Sequence, residues 1–174
     1  MKFGPISFLL LLLVITPAIS QEDNEEEQTK HRVAFLFGLT HIPRTIENGE
    51  LLKSEELTTI GIDYFYILNQ KWHIGVVLDL ELGKYAVDFD GENIPRENAL
   101  VTGLVAVYRI YKGWSIFTGP GVEFEKNKNI FIIRAGMEYE FELGKNWGLA
   151  PAFSYDFKKE YSAYSLGFAL SKRF

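Results

Sequence analysis

From Arg32 onward apolar residues recur at every second position, in runs of about ten, and each run gives way to turn residues. A period of two marks a strand with one apolar face. Eight such runs are read, at about 32–42, 57–68, 72–83, 99–111, 114–125, 130–143, 147–157 and 162–174. No 3.6-residue stripe lasts beyond two turns, so no helix is predicted. Asn69-Gln70-Lys71, Lys112-Gly113 and Gly144-Lys145-Asn146 have the chemistry of tight hairpin turns. The other connections differ: 43–56 and 84–98 are long and polar, while 126–129 and 158–161 are shorter and charged. Tight and longer connections in turn predict an all-β, eight-stranded antiparallel up-and-down sheet with a turn end and a loop end.

Parity sorts the residues into two faces. One carries Phe35, Phe37, Ile60, Ile62, Ile74, Leu78, Leu104, Ile116, Phe131, Ile133, Phe153, Leu166 and Phe168, and Lys172 is its one charge. It holds 18 of the 24 aromatics beyond residue 20. The other carries the strand glycines, Glu81, Arg173 and the charged residues Asp63, Asp79, Arg109, Glu123, Arg134, Glu138, Glu140 and Asp156. An eight-stranded barrel has an interior only just wide enough for side chains. Eighteen aromatics would overfill it, whereas glycines and paired charges fit. The apolar face is therefore predicted to point outward into hydrocarbon, giving a transmembrane β-barrel with a filled lumen.

Each tight turn is followed by a tryptophan: Trp72, Trp114 and Trp147. All three are expected at one end of the sheet, as an interface girdle at headgroup depth. Inside, the inward charges are expected to form a network, because buried charges must be paired. Arg134 is predicted to contact Glu123 or Asp156 first and Glu138 second. Phe65, Val77, Val105, Val107, Phe117 and Ile132 are also predicted to point inward. Gly119-Pro120-Gly121 lies mid-strand, where Pro120 removes a ladder donor and suggests a bulge.

Composition narrows the class. The chain has 174 residues, no cysteine and a net charge of −5. That leaves no disulfide framework, no cysteine nucleophile and no Cys-ligated zinc, and disfavours nucleic acid as a partner. Residues 1–20 have the layout of a secretory signal peptide, with Lys2, the apolar run Phe8–Ile15 and small residues before Gln21. Residues 21–31 follow as an acidic linker with no apolar face, expected to be disordered, and 32–174 form the barrel domain.

The last strand places Tyr164, Leu166, Phe168, Leu170 and Phe174 at alternate positions and ends on the phenylalanine. This resembles the C-terminal insertion signal of outer-membrane barrels, with Lys172 a departure from the apolar residue usual there. With the leader and eight strands, residues 32–174 resemble the small OmpA/OmpX-like outer-membrane barrels. The resemblance implies an outer-membrane location in a Gram-negative-type bacterium with both termini periplasmic. It also implies outer-membrane lipid and the barrel-assembly machinery as partners, and a monomer.

Chemistry is sparse. His31, His41 and His73 fall at no metal-ligand spacing. His41 with Ser54 is the nearest analogue of a rim His–Ser pair, and no short motif supports it. Glu138 and Glu140 fall in a narrow lumen, where a charge network outweighs a hydrolytic dyad. No catalytic residue, cofactor or metal is assigned. The function expected is a structural or surface-binding outer-membrane barrel acting on an unknown exterior ligand through its loops, and not an open channel. A narrow porin-like pore for small solutes, a lipid-modifying barrel enzyme and a soluble lipophile-binding barrel are the alternatives.

Overall fold

The computed structural model describes residues 29–47, 50–89, 92–159 and 161–174. The signal peptide and all but the last residues of the acidic linker lie outside them. The strands are β1 (His31–Glu47), β2 (Glu50–Ile67), β3 (Trp72–Phe89), β4 (Glu92–Tyr111), β5 (Trp114–Phe124), β6 (Ile130–Tyr139), β7 (Phe141–Gly144), β8 (Trp147–Phe157) and β9 (Ser162–Arg173). β6 and β7 both pair with β8 and are two parts of one strand. β1 pairs with β9, so eight antiparallel strands close into an up-and-down barrel.

The register fixes the barrel's shape. A path of paired residues runs from Trp72 through Tyr108, Ile116, Met137, Phe153, Leu166, Leu39 and Thr58 to Leu82. It returns to β3 ten residues above its start, a shear of ten. With ordinary strand rise and spacing, eight strands and this shear give a tilt of about 40°. Each residue then climbs about 2.5 Å along the barrel axis, and a 25 Å apolar band takes about ten residues.

The predicted parity holds on every strand. Phe35, Phe37, Leu104, Phe131, Leu166 and Phe168 project outward and are exposed, while Phe65, Val77, Val105, Val107 and Ile132 point inward and are buried. Outward aromatics and inward charges are what hydrocarbon outside and a narrow interior require.

Three expectations need correction. The segments 43–56 and 84–98 are not long loops: β1–β2 and β3–β4 continue through them as hairpins. Their polar composition reflects water on the outer face, not loss of the ladder. β2 and β3 pair only over residues 58–67 and 73–82, so the two hairpins separate above the barrel. Second, Pro120 introduces no bulge. The β4–β5 pairing lapses between Gly103↔Gly121 and Ala106↔Thr118 with the register unchanged. The gap marks the Leu104 carbonyl as the acceptor whose ladder donor Pro120 cannot supply. Third, the strand expected at 130–143 is interrupted. Opposite Pro151, pairing lapses between Glu138↔Ala152 and Phe141↔Leu149, which divides β6 from β7 at Glu140. The same missing donor is the cause.

Candidate functional site

The inward charges stack in three tiers along the lumen. Nearest the tight turns, Arg32 on β1 reaches across to β6 and donates two hydrogen bonds to Glu138, at 2.8 and 2.9 Å. Its guanidinium also lies 4.7 Å from the centre of the Phe65 ring. Beside it Arg173 pairs with Glu140, which accepts a further bond from Ser171 at 3.2 Å.

Above this tier the lumen is apolar, with Phe65, Val77, Val105 and Val107 packed together and Phe117 against them. The second tier follows. Arg134 on β6 donates to both oxygens of Asp156 on adjacent β8, at 2.7 and 2.8 Å, and pairs with Asp79 across the barrel on β3. A cavity of about 40 Å³ lies between the two tiers, lined by Asp63, Phe65, Asp79, Arg134, Thr59 and Ser165 among others. That is room for a few water molecules. Thr40 bridges Thr59 and Ser165 by hydroxyl bonds of 2.6 and 2.7 Å.

The third tier centres on Glu123, fully buried near the hairpin end. It pairs with Arg96 and Lys158, and accepts from Tyr161 at 2.7 and 2.9 Å. Arg96 also donates to the Lys128 carbonyl at 2.8 Å. Burial, then the Glu123 charge, holds the Tyr85 and Tyr161 phenols above their usual range. Both stay protonated and donate. Over this tier Ile42, Leu57, Tyr85, Val87, Ile130, Tyr161 and Ala163 form an apolar cluster. It joins elements from opposite sides of the mouth, with Tyr85 and Tyr161 3.2 Å apart at their hydroxyls.

The predicted residues are thus inward but differently partnered. Arg134 meets Asp156 as expected. It does not meet Glu123, which Arg96 and Lys158 hold, nor Glu138, which Arg32 holds. Asp79 takes that place, because the shear brings β3 level with β6 at this height. Arg109 and Asp63 form no ion pair among the described residues. Three cations were absent from the predicted network for separate reasons. Arg32 has inward parity but lies at the very start of its strand, and Lys158 continues the parity of β8 beyond its end. Arg96 lies two residues before Asn98, whose φ of +52° accompanies a one-residue shift of the alternation that turns an even-numbered residue inward.

Trp72, Trp114 and Trp147 lie on the outer surface at the turn end, within about two residues of one height by the register above. Lys172, the one charge predicted on this face, donates to the Lys145 carbonyl at 2.5 Å and sits 5.3 Å from the Trp147 ring centre. His41 stacks on Tyr164 and faces Glu56 at 3.8 Å rather than Ser54. His73 is buried at the foot of the lumen. Tyr164, Leu166, Phe168 and Leu170 lie along the outer face of β9, and Phe174 follows it.

No protein-family model matches the chain, and no curated protein matches it in sequence. Solved structures do match in fold. The outer membrane protein AlkL, determined in DMPC lipid bilayers, superposes with a TM-score of 0.60 at 14% identity, covering 92% of this chain and 97% of that one. The N-terminal β-barrel domain of Pseudomonas aeruginosa OprF gives 0.58 at 11% identity, over 84% and 98%. Ail, the attachment invasion locus protein of Yersinia pestis, solved with the heparin analogue sucrose octasulfate, gives 0.53 at 15% identity, over 83% and 99%. Antiparallel closure, shear, inward charges and these superpositions agree: the chain has the fold of the small eight-stranded outer-membrane β-barrels of the OmpA/OmpX-like type.

Proposed function

We propose that the protein is an integral outer-membrane barrel of a Gram-negative-type bacterium. In this reading the tight turns and both termini face the periplasm, and the two long hairpins stand outside. It is a non-enzymatic structural or surface-binding protein, inserted by the barrel-assembly machinery through the strand that ends at Phe174. The carrying observation is the pairing of an apolar outer wall with ion pairs that cross the lumen at three heights. Arg32–Glu138 and Arg134–Asp79 join strands that are not neighbours, and Lys158–Glu123 joins the residue just past β8 to β5, with β6 between them. Such pairs, with the apolar cluster above them, support a lumen closed to solutes. Binding then falls to the hairpins, which on this tilt rise roughly 20 Å beyond the apolar band.

Their chemistry limits the ligand. Segments 43–57, 84–98, 125–129 and 158–160 carry ten carboxylates against eight cationic side chains. Arg96 and Lys158 are buried on Glu123. A polyanion such as the one crystallised with Ail is therefore not the ligand expected here; a cationic or neutral surface is.

The test is reconstitution into planar bilayers with fractionation of the cell envelope. The protein should sediment with the outer membrane and give no stable conductance steps. Discrete ion-selective steps from the wild-type chain would overturn the closed lumen in favour of a narrow pore.

A further inference from the structure

The two ends of the barrel differ in charge. At the turn end the outer surface displays Lys30, Lys71, Lys112, Lys145 and Lys172, with Glu142 the acid among them. Every tight turn holds one lysine, and each is followed within two residues by Trp72, Trp114 or Trp147. Two of these lysines occupy costly backbone positions. Lys112 has φ +34° and Lys145 has φ +50°. Both belong to tight hairpin turns, with Gly113 at φ +89° and Asn146 at φ +63° beside them. Such positions favour Gly, Asn or Asp, and a lysine there is strained. Strain kept at the same place in two separate turns points to a use for the side chain. The ammonium groups also stay close to the aromatic belt: Lys112 lies 5.1 Å from the Tyr111 ring and Lys172 5.3 Å from that of Trp147.

We propose that these lysines form a ring that binds the phosphodiester headgroups of anionic phospholipids in the periplasmic leaflet. The inference rests on the membrane reading above. Tryptophan rings settle at headgroup depth, so lysines one or two residues beyond them meet the lipid phosphates. Attraction of a lysine to an anionic surface corresponds to about a fivefold gain in partition per side chain. The ring also gives the barrel an electrostatic preference for one leaflet. The competing occupant is the acidic stretch at 22–27, which precedes the ring in sequence.

The experiment folds the mature chain into vesicles of phosphatidylcholine alone and of phosphatidylcholine with phosphatidylglycerol. Folding is read from the heat-modifiable gel shift, and stability from the urea midpoint. Folding in both compositions supports the barrel reading independently of the ring; failure in both counts against that reading. The ring predicts a higher midpoint with phosphatidylglycerol that declines at high salt, and no rise with inorganic phosphate in neutral vesicles. Lys112→Asn with Lys145→Asn should raise the midpoint in neutral vesicles by relieving both turns. The same change, which removes two of the five lysines, should reduce the phosphatidylglycerol advantage by about two fifths. An undiminished advantage in that variant would overturn the proposal. So would an advantage that appears only after residues 21–28 are deleted, since the lysines would then belong to that segment.

Discussion

His31 and Phe174 close the barrel seam as a pair. Their rings stack with centroids 5.6 Å apart, and their backbones exchange hydrogen bonds of 3.0 and 2.9 Å. His31 is also within 2.7 Å of the Tyr64 hydroxyl through Nδ1. The residue that sequence pattern assigned to the end of the linker is thus the first residue of β1 and the partner of Phe174. Deleting Phe174 removes two backbone bonds and a ring contact, about 2–4 kcal/mol together. The truncated chain should be secreted but show a much weaker heat-modifiable band. His31→Ala, which keeps the backbone bonds, should cost less than half as much.

Arg134 joins β6 to β3 and β8 through Asp79 and Asp156. Arg134→Ala leaves two buried carboxylates facing each other and should cost roughly 3–5 kcal/mol. Adding Asp79→Asn and Asp156→Asn should restore part of that loss. Urea unfolding in micelles gives the energies, and single-channel recording of Arg134→Ala should stay silent while the first and third tiers remain. A variant as stable as wild type would remove the second tier from the account.

At Gly119 a β-carbon would lie 1.8 Å from the Leu104 carbonyl oxygen. No rotamer relieves a clash with backbone, so β4 and β5 would have to separate. Gly119→Ala should therefore prevent assembly or lower the thermal midpoint sharply. Gly144, where a β-carbon meets nothing within 4 Å, has φ +85°. Gly144→Ala should cost only the backbone strain, about 1 kcal/mol.

Tyr161 ties the β8–β9 connection to Glu123 beneath the hairpins. Tyr161→Phe keeps the packing and removes a hydrogen bond to a charged acceptor, worth about 1.5–3 kcal/mol. The expected result is faster hydrogen exchange and proteolysis in the upper parts of β3 and β4, with the lower barrel unchanged. Equal loss of protection in the lower strands would show that the cap is not a separate unit.

Pro151 divides β6 from β7 by withholding a donor, and Pro151→Ala should supply it to the Tyr139 carbonyl. The gain of one hydrogen bond, about 1 kcal/mol, is offset in part by a more flexible unfolded chain. Slower amide exchange at residue 151 and its neighbours on β6 is the direct readout.

Alternation alone determined much of this molecule. Side chains on a strand change face at each residue, so the sequence assigned Phe65, Val107, Arg134 and Phe168 to their faces with no knowledge of neighbours. Glycine, Asn and Lys-Gly at the tight turns set the hairpins and with them the height of Trp72, Trp114 and Trp147. The tertiary structure alone decided which charges meet, because a shear of ten sets β3 against β6 and puts Asp79 on Arg134 where adjacency suggested Glu123. It decided the extent of the strands as well. Above the apolar band water solvates the outer face, so the hydrophobic signal fades while the backbone ladder continues to Glu47 and Phe89. And it decided Arg96, since one left-handed residue at Asn98 reverses the parity on which every inward assignment rests.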